Sequence, residues 1–172
     1  MKIKIIFSCL IINILSIVCA EDSMYTKYPE VEVGIESITQ ISKGKYTISI
    51  YGINPMHDVA GIQFKFIPTD IFTIKSVYGG KTEKNDFEIH FNKNGTILGF
   101  SMVGNTLGKA IITSGPTKNS SNIFCFLDVE INDLEKFNNT DFINMEFVLA
   151  SKDGKSLKPN IIPFNMLEIK TR

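Results

Sequence analysis

Apolar residues recur at every second position through most of this chain. Val31, Val33 and Ile35 alternate with Glu30, Glu32 and Gly34. Tyr46, Ile48 and Ile50 share one phase, with Thr47 and Ser49 on the other. Ala60, Ile62, Phe64 and Phe66 alternate with Gly61, Gln63 and Lys65, and Phe87, Ile89 and Phe91 with Glu88 and His90. Cys125, Leu127, Val129 and Ile131 form a further such face, as do Met145, Phe147 and Leu149. Side chains of a strand point to opposite faces in turn, so this period belongs to strands with one buried and one wet face.

Turn chemistry interrupts the alternation at short intervals. Ser42-Lys43-Gly44, Asn54-Pro55, Gly79-Gly80, Asn94-Gly95 and Asp153-Gly154 each follow an alternating run. Asn94-Gly95 lies between Phe87–Phe91 and Thr96–Ser101, and both of its residues tolerate positive φ, so these two arms are expected to form an antiparallel hairpin. The last strand is expected over Asn165 to Lys170. Asn132 to Thr140 breaks the rhythm; it reads either as a helical turn or as a loop that lays Leu134 and Phe137 over one end. About nine or ten short strands with no long helical pattern define an all-β class and point to a β-sandwich.

The first twenty residues read differently. Lys2 and Lys4 open an apolar stretch from Ile5 to Val18, and Val18-Cys19-Ala20 offers small residues at a cleavage site before Glu21-Asp22. The stretch is too short for a comfortable membrane span of about 20 residues, and no later segment comes close. The expected organisation is a signal peptide over 1–20 cleaved after Ala20, a polar lead-in over 21–29 and one domain over 30–172. The expected location is therefore extracellular, with no membrane span in the mature chain. Roughly 150 residues remain after cleavage, enough for a single core.

Charge and cysteine content narrow the partners. The 18 Lys and Arg balance 18 Asp and Glu, with no run of either sign. Nucleic acids and anionic membranes reward clustered cations, so neither is expected as a partner. Cys9 and Cys19 lie in the leader, leaving Cys125 alone in the domain, where it reads as a small buried apolar residue. A lone cysteine forms no internal disulfide, so the core alone must hold the fold.

No residue pattern carries catalysis. A zinc site needs three or four converging ligands, whereas His57 sits in a loop and His90 on a wet strand face. Gly99 to Gly104 approaches a nucleophile elbow around Ser101, but Val103 stands where glycine is required. Gly104 to Lys109 is one residue short of a phosphate loop, and Ala110 follows in place of Ser or Thr. No carboxylate pair is singled out for glycoside chemistry. Asp133, Asp141 and Asp153 read as exposed loop residues, with a calcium site at a sandwich end as the other reading. No catalytic residue, metal or cofactor is expected. Asn94, Asn119 and Asn138 begin three N-glycosylation sequons in turns or loops.

Val59-Ala60-Gly61-Ile62-Gln63-Phe64 is followed by Ser76-Val77-Tyr78-Gly79-Gly80, then Phe87, then Ile97-Leu98-Gly99-Phe100-Ser101 and Gly104. In order and spacing this resembles cohesin-like domains, over roughly Tyr46 to Ile131. The resemblance implies an antiparallel jelly-roll sandwich of about nine strands, akin to some carbohydrate-binding modules, that binds through one sheet face. The matching residues are core and turn residues, so no binding residue carries over; Gly61, Gly79, Gly80 and Gly99 read as bulges, tight turns or close contacts. The function expected is a secreted, non-catalytic binding module for a protein or glycan, with a structural coat component of a virion or cell envelope as the alternative. Tyr51 and Tyr78 are the aromatic residues to test for exposure on such a face, since interfaces concentrate energy in a few aromatic anchors.

Overall fold

The computed structural model describes residues 30–92, 95–109 and 122–171. The leader, the lead-in, Asn94 and Asn119 lie outside the described residues. Strands run in the order β1 (Val31–Ser42), β2 (Lys45–Ile53), β3 (Val59–Ile67), β4 (Phe72–Tyr78), β5 (Glu88–Phe91), β6 (Ile97–Phe100), β7 (Ile123–Ile131), β8 (Phe142–Ser151), β9 (Ser156–Leu157), β10 (Pro159–Ile162), β11 (Phe164–Asn165) and β12 (Lys170–Thr171). A short helix α1 (Gly80–Lys84) follows β4, and α2 (Leu134–Asn138) follows β7.

The strands form two sheets. The first has the order β10-β1-β2-β7-β4, with β12 also on β1; the second has β11-β8-β3-β6-β5, with β9 also on β8. The alternating residues named above supply the contact between them. Ile48, Ile50, Cys125, Leu127 and Val129 of the first sheet are buried with Ile62, Phe64, Phe66, Met145, Phe147 and Leu149 of the second. Phe64 stacks on Phe147 with centroids 4.8 Å apart. This is the two-layer packing of a β-sandwich, in which both inner faces bury their apolar phase.

The Phe87–Phe91 and Thr96–Ser101 arms pair antiparallel, with Glu88 opposite Phe100 and Phe91 opposite Ile97. The phase drifts at the tip, where Phe91 is exposed although Phe87 is buried. Asn132 to Thr140 takes the helical form. Asp133 caps α2 by accepting a hydrogen bond from the Lys136 backbone N–H at 2.9 Å. Phe137 plugs one end of the sandwich against Tyr46 and Phe72 at 5.3 and 6.0 Å, whereas Leu134 points to solvent.

The C-terminal segment departs from the expected single strand. Asn165 caps a 3-10 turn at Met166–Glu168, and β10 and β12 pair with β1 in parallel. Between them β11 crosses to pair with β8 in the other sheet. The segment thus laces one long edge of the sandwich shut, which shields β1 from edge-to-edge pairing.

Three exposed carboxylates are held below their usual range by lysines. Asp153 lies near 2, through hydrogen bonds from Lys155 first and then Ser151. Asp70 is lowered by Lys136, and Glu130 chiefly by Lys75. An unfolded chain binds protons at these groups more readily, so stability is whole above the ordinary carboxylate pKa of about 4 and falls as pH drops from there toward 2. Thermal melts between pH 6 and 2 should be flat at the upper end and fall below about pH 4. Asp153→Asn should flatten the lower part of that slope; an unchanged slope would exclude this contribution.

Candidate functional site

The two sheets differ in what they show to solvent. On the outer face of the second sheet, Val148, Gln63, Leu98 and His90 form one row across β8, β3, β6 and β5. Ala150, Gly61, Phe100 and Glu88 form the next row. Val148 is 56% and Leu98 40% exposed, and nearby strand ends add Ile67 and Phe142. Met102 and Val103 are exposed in the turn after β6. Among the described residues, an apolar centre is therefore open to water on a four-stranded sheet face.

Polar groups ring that centre. Lys65 and Glu146 sit opposite each other on β3 and β8 and form a 2.7 Å ion pair. His90 stacks on Phe100 at 5.9 Å, with its Nε2 3.7 Å from Glu88. Gly99 lets β6 lie close to its neighbours, because a Cβ there would fall 2.6 Å from Ile89 Cδ1 and 3.0 Å from Ile62 Cγ1. An apolar centre with a charged rim is the anatomy of a protein-binding surface.

The residues singled out by sequence fall elsewhere. Tyr51 does point away from Ile48 and Ile50, but it is only 1% exposed and is no surface anchor. It packs with Ile53, Ile123 and Phe126 in a satellite cluster on the outside of the first sheet. Its ring lies over Gly34, where a Cβ would approach it to 2.7 Å, and its hydroxyl donates to Glu32 Oε1 at 3.0 Å. Burial and then the Glu32 charge push the phenol pKa well above its ordinary value. Tyr78 is exposed, also on the first sheet, so it is remote from the open apolar face.

The remaining candidates are dispersed. His57 follows Asn54, whose buried amide donates to the His57 carbonyl at 2.8 Å. Ser101 accepts from the Asn105 backbone N–H at 3.2 Å in a turn. Asp141 and Asp153 flank opposite ends of the ten-residue β8, so the three loop aspartates do not share one calcium site. Among the described residues no three His, Cys, Asp or Glu side chains converge. Cys125 is fully buried, and burial pushes its thiol up to about 12, leaving it inert as a nucleophile. Asn138 ends α2 at the surface.

Sequence alone does not single out the second-sheet residues, because Leu98 and Val148 lie on the phase opposite the core residues Ile97, Phe147 and Leu149. That out-of-phase apolarity is the signal the sequence offers for them.

Fold and exposed face together define a jelly-roll β-sandwich whose second sheet shows apolar side chains on its outer face. More particularly, the chain has a cohesin-like fold. A non-cellulosomal cohesin from the hyperthermophilic archaeon Archaeoglobus fulgidus superposes with a TM-score of 0.50 at 11% identity, covering 78% of this chain and 87% of that one. The type I cohesin–dockerin complex from Clostridium thermocellum gives a TM-score of 0.50 at 15% identity, covering 79% and 91%. No known family profile matches the chain, and no curated protein matches it in sequence. Among the described residues no helix is long and apolar enough to cross a membrane.

Proposed function

We propose that this domain is a secreted, non-catalytic binding module that presents the open face of β8, β3, β6 and β5 to a protein partner. The uncovered apolar centre around Val148, Leu98 and Phe100, rimmed by Lys65, Glu146, Glu88 and His90, carries the reading. Large exposed apolar patches with polar rims mark interaction sites on soluble domains. The Clostridium thermocellum structure of the same fold is a complex with a dockerin, which supports a protein as the class of partner. In this reading residues 1–20 are a leader cleaved after Ala20, the domain runs over 30–172, and Asn94, Asn119 and Asn138 are the candidate glycan acceptors.

Site-specific photocrosslinking tests the proposal. Benzoylphenylalanine at position 148 or 98 should yield a discrete protein adduct in the native extracellular fraction. The same group at position 39, on the opposite sheet, should not. Equal adducts from both faces, or none from 148 and 98, would overturn it. An adduct with a second copy of this chain would favour a coat component instead.

A further inference from the structure

The outer face of the first sheet has a different chemistry. Strand register aligns Thr39, Thr47, Asp128 and Ser76 in one row across β1, β2, β7 and β4. The adjacent row is Ser37, Ser49, Phe126 and Tyr78. On the other side Lys45 faces Glu130, and a register shift between Ile74 and Ser76 brings Lys75 to the same carboxylate. Lys45 and Lys75 lie 3.5 and 2.8 Å from Glu130. Tyr78 and Phe126 on one side and Lys45, Lys75 and Glu130 on the other stand above Thr47 and Asp128, so a solvent-open groove of about 710 Å³ runs across the strands.

We infer that this groove binds a neutral oligosaccharide. Asp128 lies at its centre with both oxygens engaged. Thr47 Oγ1 donates to Oδ1 at 2.7 Å, Tyr78 OH donates to the same oxygen at 3.2 Å, and Ser76 Oγ donates to Oδ2 at 3.2 Å. A carboxylate accepts about four hydrogen bonds, so one position stays open to a ligand donor. Thr47 and Tyr78, which line the groove, spend their hydroxyl protons on Asp128 and keep oxygen lone pairs free to accept. The floor is thus a set of fixed acceptors suited to a ligand rich in hydroxyl donors.

The wall supplies an apolar plane. Tyr78 stacks on Phe126 with centroids 5.9 Å apart and planes 28° from parallel, and it is 44% exposed. Its hydroxyl is tethered to Asp128, so the ring is already oriented and little rotamer freedom is lost on binding. A sugar ring offers a C–H face to an aromatic plane and hydroxyls around its edge. Charge selects a neutral ligand, because Asp128 and Glu130 offset Lys45 and Lys75. A polyanion would meet the Asp128 carboxylate, and a polycation would meet both ammonium groups.

The groove and the open face lie on opposite sheets, so either site can fail while the other stands. Titration of the isotope-labelled, correctly processed chain with cellohexaose, xylohexaose, mannohexaose and chitohexaose, followed by amide chemical shifts, tests the groove. At least one of these should move the amides of Thr47, Ser76, Tyr78 and Asp128 and leave those of Leu98 and Val148 in place. Tyr78→Ala should weaken that ligand roughly tenfold or more by removing the aromatic plane, and Tyr78→Phe should recover most of the affinity. A heparin hexasaccharide and hexalysine serve as charged comparisons. No response to any neutral probe, preference for a charged one, or indifference to Tyr78→Ala would overturn the inference.

Discussion

Replacing Gly80 with alanine is expected to destabilise the domain by about 3 kcal/mol, a fall in melting temperature of roughly 10 °C for a domain of this size. Two effects add. Gly80 has φ +67°, a left-handed conformation that costs an L-residue about 1 kcal/mol or more. A Cβ would also lie 2.3 Å from the Phe124 carbonyl oxygen, a backbone atom that no side-chain rotation can move aside. The contact is close because α1 is docked onto β7. The buried Thr82 donates from its hydroxyl to the Phe124 carbonyl at 3.0 Å, and the Phe87 backbone N–H bonds the Thr82 carbonyl at 2.9 Å. Displacing α1 would break these bonds and loosen the entry to β5.

Two other glycines separate the contributions. Gly44 has φ +74° and nothing lies within 4 Å of where an alanine methyl would stand, so Gly44→Ala should show only the conformational cost of about 1 kcal/mol. Gly108 has ordinary φ and open space, so Gly108→Ala should be close to neutral. Chemical denaturation of the three variants should give the order Gly80, Gly44, Gly108. If Gly80→Ala unfolds no more easily than Gly44→Ala, the close docking of α1 on β7 is wrong.

The same region shows what the sequence could and could not reveal. Alternation exposes the core strands because each turns an apolar phase toward the facing sheet, and the inward phases of β2, β3, β7 and β8 are those found. The pair Gly79-Gly80 is legible as a turn. Its real constraint is the Phe124 backbone, a partner some forty positions away in sequence and unreadable locally. Tyr51 illustrates the limit from the other side. Its outward phase is legible, but Ile53, Ile123 and Phe126 gather around it only after β2 and β7 pair with a shift at Ile50/Tyr51. The short strands after Ser156 have too few residues to show a period, and β1, the parallel partner of β10 and β12, lies at the far end of the chain. The open face is the subtlest case, since Leu98 and Val148 mimic ordinary strand residues until register puts them in one row across β3, separated only by Gln63.

That row leads to the second large effect. Leu98→Glu combined with Val148→Glu is expected to reduce capture of the protein partner at the open face by about a hundredfold or more. Each substitution would place a carboxylate in the apolar centre, where a docked partner would strip it of water. Isolated exposure makes the change tolerable in the free domain. Both side chains already point to solvent, so folding stability should stay within about 1 kcal/mol of the original. Leu98→Ala with Val148→Ala removes contact area without adding charge, and should weaken capture less than the glutamate pair. Quantitative pull-down with the three proteins, alongside denaturation of each, separates lost binding from lost folding. Undiminished capture by a folded glutamate pair would show that the partner docks elsewhere. A graded loss, from leucine and valine through alanine to glutamate, would locate the interface on β6 and β8, where the described residues leave Leu98 and Val148 about half exposed.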